Sequence, residues 1–305
     1  MERRKFITVV SGGLIGLAGC TSGSSGAVED SIETADEHLG QAGDEFTSES
    51  DKFGNATEGV DFRTSVIFTQ LDEADSALEE ASNEDDGEYT SLIQALQNTS
   101  DFLRSTTQSL DHFATALNSL QQATDYSDTE RYGDSISTLQ EANSALSEVQ
   151  SDTAVAQSEL EEIDTDQLGE ADEVDIVEIR DAFTQLTEAR KAMEYFVNGY
   201  MDLNRAFRAF SQATDQFEAE RYSQAATSFD NARAHSTSAE TTFREGESVD
   251  SPDLTSSFID LSCTAKAFKE SSGHYNNASE AAANGYYNEA NEQAEEAQNA
   301  LDQCE

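Results

Sequence analysis

Apolar residues recur along this chain at steps of three and four. One run takes in Phe62, Val66, Phe68, Leu71, Ala74, Leu78 and Ala81. A second joins Leu92, Ile93, Leu96, Leu103, Leu110, Phe113, Leu117 and Leu120, and a third joins Ile136, Leu139, Ala142, Leu146 and Val149. That spacing places each set on one face of a helix. No segment sustains the alternation of a strand, so the pattern predicts an all-α protein without a β-sheet. The longest uninterrupted helical pattern runs from about Asp175 to Phe217. Breaks fall at Asp85-Asp86-Gly87, from Asp164 to Gly169 and from Gly246 to Pro252. The chain has one proline, which lets long helices run unbroken.

An internal repeat organises these helices. Gln122-Ala123-Thr124-Asp125 precedes Glu130-Arg131-Tyr132, and Gln212-Ala213-Thr214-Asp215 precedes Glu220-Arg221-Tyr222, each pair offset by 90 residues. A weaker third copy carries Gly285-Tyr286-Tyr287 followed by Ala290, Ala294 and Ala297. Tyr222, Ala225, Phe229 and Ala232 stand in the order of the turn and second helix of a tetratricopeptide repeat, which this segment resembles. The match covers about a third of the chain, and the first copy departs from it with Ser135 and Leu139. The resemblance implies antiparallel helical hairpins that present extended surfaces to proteins or peptides. A tetratricopeptide unit is ~34 residues long, whereas these copies lie 90 and 65 apart. The expectation is therefore long hairpins packed side by side, with helices of about 30 residues. Four are expected, turning near residues 52–58, 127–131, 218–221 and 284–286, with Tyr132, Tyr222 and Tyr287 closing three of the turns.

The N-terminus reads as an address. Arg3, Arg4 and Lys5 precede a short apolar run from Phe6 to Ala18, the grammar of a secretory signal too short to span a bilayer. Arg3-Arg4-x-Phe6-Ile7 resembles a twin-arginine export signal. Leu17-Ala18-Gly19-Cys20 resembles a lipobox, which implies cleavage before Cys20 and a lipid on its sulfur. The domain reading is a signal peptide over residues 1–19, a flexible anchored tether over 20–29 and a helical hairpin domain over 30–305. The implied location is the extracellular face of the cell membrane.

Charge changes the picture of the setting. The chain holds 17 basic and 62 acidic residues, net −45. Residues 1–19 take three of the basic side chains and one acidic, leaving 14 against 61, net −47, for the rest. Self-repulsion of that size opposes compaction at ordinary salt, and ~1 M salt shortens the Debye length to ~3 Å. The profile resembles that of halophilic archaeal proteins. No basic stripe exists to neutralise phosphates, which excludes nucleic acid as a partner, and a polybasic hold on anionic lipid fails for the same reason. The 36% of hydrophobic residues, with 16 Phe and 9 Tyr, argues against disorder.

With Cys20 assigned to lipid, Cys263 and Cys304 remain in an oxidising compartment. Cys263 lies 22 residues before Gly285 and Cys304 lies 19 after it, so a hairpin turning at Gly285 brings them to similar heights. A disulfide between them is expected.

Candidate chemistry is sparse. His38, His112, His235 and His274 fall in no metal-binding or di-iron motif, and no P-loop, dinucleotide fingerprint or nucleophile elbow occurs. Neither catalysis nor a metal nor a cofactor is expected. One segment concentrates cations among aromatics: Arg190, Lys191, Tyr195, Tyr200, Arg205 and Arg208. They fit a groove for an anionic or aromatic group, or a central helix whose aromatics are core; the second reading is the simpler. The leading functional expectation is a non-catalytic interaction scaffold that binds an envelope protein. A ligand-binding accessory lipoprotein of transport or sensing, and a passive envelope element, are the alternatives.

Overall fold

The computed structural model describes residues 26–55, 59–163, 176–249 and 252–304. Among them are eight α-helices and no strand. They are α1 (Gly26–Ser50), α2 (Thr64–Glu84), α3 (Thr90–Asp128), α4 (Tyr132–Glu162), α5 (Ile176–Glu218), α6 (Tyr222–Gly246), α7 (Pro252–Ala283) and α8 (Tyr287–Leu301). Short 3-10 turns follow α1 at Asp51–Asn55 and α8 at Asp302–Cys304. The all-α expectation is met, and the last three hairpins turn where the sequence placed them; the first expected turn, near 52–58, lies partly outside the described residues. Helix length meets the expectation in α3, α4, α5 and α7, with 39, 31, 43 and 32 residues, but α1, α2 and α6 have 25, 21 and 25 and α8 has 15.

The residues read as an export signal, Arg3 and Arg4 included, and Cys20 lie outside the described residues. The tether reading needs a correction, because α1 starts at Gly26 rather than beyond residue 29. Val28 continues the stripe of Ile32, Ala35, Leu39, Ala42 and Phe46 and is buried with it. Glu29, in the first turn, accepts a 2.7 Å hydrogen bond from Tyr89 Oη.

The helices form two compact units. Unit 1 takes in the described residues to Asn118 together with Ala145–Arg190; unit 2 takes in Ser119–Ser144 and Lys191–Glu305. In unit 1, α1 and α2 pair through the buried stripe on α1 and through Ile67, Leu71, Ala74, Leu78 and Ala81 on α2. Phe102 on α3 meets Phe183 on α5 edge-on at 5.8 Å. Polar links add register between α3 and α4: Ser109 Oγ lies 3.0 Å from Thr153 Oγ1, and His112 Nδ1 lies 2.8 Å from Asp152 Oδ2.

The link from α1 to α2 is closed around Glu49, whose side chain is fully buried. Lys52 and the Arg63 guanidinium both hold its carboxylate, and the Arg63 N–H donates to Oε2 at 2.8 Å. Burial pushes this carboxyl up, but the bonds from Lys52 and Arg63 outweigh burial and hold it below the usual value. Asn118 then clamps the segment leading into α2, accepting from the Val60 N–H (2.7 Å) and donating to the Val60 carbonyl (2.9 Å).

The three sequence copies share one backbone device in unit 2. Glu130 and Glu220 both have φ 59°, and Gly285 has φ 82°. Each left-handed residue ends a helix in a Schellman motif. The Arg131 N–H bonds the Tyr126 carbonyl, Arg221 bonds Gln216 and Tyr286 bonds Ala281, at 2.8, 2.8 and 2.9 Å. The shorter inner bonds run from Glu130 to Ser127, Glu220 to Phe217 and Gly285 to Ala282, at 2.9, 3.0 and 3.0 Å. A glutamate in this region bears a steric cost of about 1–2 kcal/mol that glycine escapes. Glu220→Gly and Glu130→Gly are each expected to raise stability by about 1 kcal/mol, read as a higher denaturation midpoint. Unchanged or lowered midpoints in both variants would show that contacts of the glutamate side chains outweigh the strain.

Candidate functional site

The tyrosines expected to close the turns do so unequally. The Tyr132 ring lies 5.7 Å from Phe207, and burial raises its phenol above the usual pKa. Tyr222 meets Phe217 at 5.4 Å and packs against the cluster of Ala281, Ala282 and Ala290. Tyr287 does not close its turn: it is 61% exposed, and Tyr286 beside it is 63% exposed. The first two rings pack on a helix of the following hairpin, Tyr132 on α5 and Tyr222 on α7 and α8; no following hairpin stands beside Tyr287 among the described residues. The turn itself is closed by the left-handed residue, not by the aromatic ring.

The predicted groove is not assembled. Aromatic side chains of α5 point into the core of unit 2. Phe196 contacts Phe243 (6.4 Å) and Phe258 (6.0 Å), while Phe210 contacts Phe229 (5.3 Å), Phe268 (5.4 Å) and Tyr275 (5.7 Å). Tyr200 is buried beside Phe196, and Met193 and Met201 are buried too. The cations take other faces. Lys191 and Arg208 are exposed, Tyr195 is half-buried, and Arg205 is half-buried with Nη1 2.8 Å from Asp202 Oδ1. Arg190 belongs to unit 1, whereas the other five belong to unit 2. An aromatic stripe at helical spacing has served as core, because burying those rings removes more area from water than any other side chains here could.

Cys263 and Cys304 are joined as a disulfide, with Cα atoms 5.8 Å apart, and both are half-buried. Among the described residues no group of three or more His, Cys, Asp or Glu side chains is placed to hold a metal ion. His38 Nδ1 lies 2.8 Å from Gln70 Oε1, and His274 Nδ1 lies 3.1 Å from Glu296 Oε2 and 3.2 Å from Gln293 Oε1. Two Asn-x-Ser triplets of the kind that accept a glycan, Asn98-Thr99-Ser100 and Asn277-Ala278-Ser279, sit inside helices. Asn98 donates to the Glu162 carbonyl at 2.8 Å, and Ser100 of the same triplet is fully buried; Asn277 donates to Gln293 at 3.3 Å, and its Ser279 is fully buried.

Three carboxyls of unit 1 are held above the usual carboxylate range. Asp36 is pushed up to about 6, first by burial and then by Glu33. Burial raises Glu159 and Asp101 as well, helped by their acidic neighbours. Because the folded pKa of Asp36 exceeds its unfolded value, the ionised form opposes folding above about pH 6, and stability returns as pH falls from 6 towards 4. The shift corresponds to about 3 kcal/mol, which water reaching the half-exposed carboxyl screens to about 1–2 kcal/mol. Asp36→Asn is therefore expected to stabilise the protein by about that amount at pH 7 and by little at pH 4. Urea midpoints of both proteins at the two pH values check this; a pH-independent difference sinks it.

No helix among the described residues is long and apolar enough to cross a membrane. The fold is an array of antiparallel helical hairpins, three of them ending in the same left-handed turn. No protein-family model matches the chain, and no curated protein or solved structure matches it.

Proposed function

We propose that this protein is a lipid-anchored scaffold on the outer face of a cell membrane in a high-salt environment, where it holds an envelope protein without catalysing a reaction. One observation carries the scaffold reading: the same Schellman turn recurs at Glu130, Glu220 and Gly285 and sets long helices side by side. A hairpin array of this kind offers extended surfaces along its helices. The anchor and the export route rest on Arg3-Arg4 and on Leu17-Ala18-Gly19-Cys20. The acidic surface suits protein partners bearing exposed cations, and it repels nucleic acid.

Chemical cross-linking of intact cells in native salt, followed by purification of this chain and mass spectrometry, tests the reading. One partner recovered in constant ratio supports the scaffold. Self-links alone, or no link at all, overturn it.

A further inference from the structure

The last helix is attached to its neighbours in a different way from the others. Where α6 buries Phe229 and Phe243 among its alanines, the buried residues of α8 are three alanines, Ala290, Ala297 and Ala300. Each contributes a single methyl group to the contact with α7. A helix of 15 residues is marginal in water when it stands alone. No side chain caps its N-terminus at Tyr286, and its last turn holds no basic residue. Glu295 and Glu296 instead lie in the half of the helix nearest the negative end of the dipole. Its polar links to α7 run from His274 to Gln293 and Glu296 and from Asn277 to Gln293, all at 3.1–3.3 Å on partly exposed side chains. Such links contribute little. Ala294 and Leu301 add two half-buried apolar side chains, and the one covalent tie is the Cys263–Cys304 bond, which joins the 3-10 turn directly after α8 to α7 across a separation of 41 residues.

We propose that α8 is a redox-latched cap: the disulfide holds it down, and reduction releases α8 while α5, α6 and α7 stay folded. The chemistry needs a dithiol reductant. One of its thiolates attacks a cysteine sulfur, breaking the Cys263–Cys304 bond and forming a mixed disulfide. The second thiol then displaces the remaining protein thiol. Two electrons and two protons pass to the cysteines, and the reductant leaves as a cyclic disulfide. Both cysteines are half-buried, so a small thiolate reaches them without unfolding. The release uncovers Ala281 and Ala282 on α7, which cluster with Ala290, and the ring of Tyr222 that packs on them. The core stays shut because the ring contacts among Phe196, Phe210, Phe229, Phe243, Phe258 and Phe268 run between α5, α6 and α7.

Hydrogen exchange of the full chain, measured by mass spectrometry in high salt before and after dithiothreitol, tests this. Removing a cross-link of this loop length favours the open form by about a thousandfold. Amides in 287–301 are therefore expected to exchange at least about a hundredfold faster after reduction, while the slow amides of α6 and of residues 254–272 keep their rates. The double variant Cys263→Ser, Cys304→Ser is expected to show the same pattern without reductant. Unchanged protection of α8 in reduced protein would overturn the proposal. So would loss of protection across α6 and α7 together with α8, or a double variant that does not fold, since either makes the bond a staple of the whole unit.

Discussion

Gly199→Ala and Gly246→Ala are each expected to lower stability by about 2–3 kcal/mol, although replacing a helical glycine by alanine normally raises it by about 1 kcal/mol. The sign reverses because aromatic rings occupy the space a Cβ would need. A Cβ on Gly199 would stand 2.5 Å from Phe243 Cε1 and 2.7 Å from Cδ1; one on Gly246 would stand 2.5 Å from Phe258 Cε1 and 2.6 Å from Cζ. Phe243 is fully buried and Phe258 is 1% exposed, so neither ring can swing into water. Each also touches the other and Phe196, which passes any displacement through the layer. Gly40→Ala is the matched control. It too lies in a helix, with nothing within 4 Å of the added atom, and is expected to stabilise by up to about 1 kcal/mol. Denaturant unfolding of the three variants decides the matter; a destabilised Gly40→Ala, or a neutral Gly199→Ala, would contradict the packing argument.

The second large effect is that of salt. Chloride salts at ~2 M are expected to raise the thermal midpoint by on the order of 10 °C or more over ~0.1 M, where the Debye length is ~10 Å and the charge of −45 repels itself across the whole surface. Chloride is the right anion for the test, because sulfate strengthens apolar burial and would mimic the effect. A steep rise at low concentration that flattens near ~1 M marks screening. A midpoint independent of salt would remove the high-salt setting from the functional proposal. The Asp36, Glu159 and Asp101 carboxyls, all raised by burial, add to the same repulsion inside unit 1.

Much of the architecture was legible in the chain. A step of three and four in Leu71, Ala74, Leu78 and Ala81 leaves a helix one side to bury, and all four are buried, whereas Val66 and Phe68 of the same run are half-buried and Ile67 between them takes the core position. Gly285 and Pro252 marked boundaries because glycine adopts a left-handed turn and proline has no N–H to lose at the first position of a helix. The Cys263–Cys304 pairing followed from counting residues on either side of a turn, since helical rise converts sequence separation directly into height. The left-handed glutamates were missed. Their signal was present, since Glu130 and Glu220 align with Gly285, and a glycine at a repeated turn points to a conformation that its counterparts must share.

What periodicity fixes is which residues share a face of a helix; it leaves open what that face meets. The aromatics among the cations of α5 read as a binding surface or, more simply, as core, and Phe229, Phe243, Phe258 and Phe268 of α6 and α7 fill the space in front of Phe196 and Phe210. Tyr287 read like Tyr222, yet one ring is exposed and the other packed, because only Tyr222 has a following hairpin beside it. The raised Asp36 and the fully buried Glu49 likewise have no mark in a sequence where acids stand everywhere. Burial and the position of Lys52 and Arg63 are properties of the packed chain, and those alone separate a carboxylate that opposes folding from one that supports it.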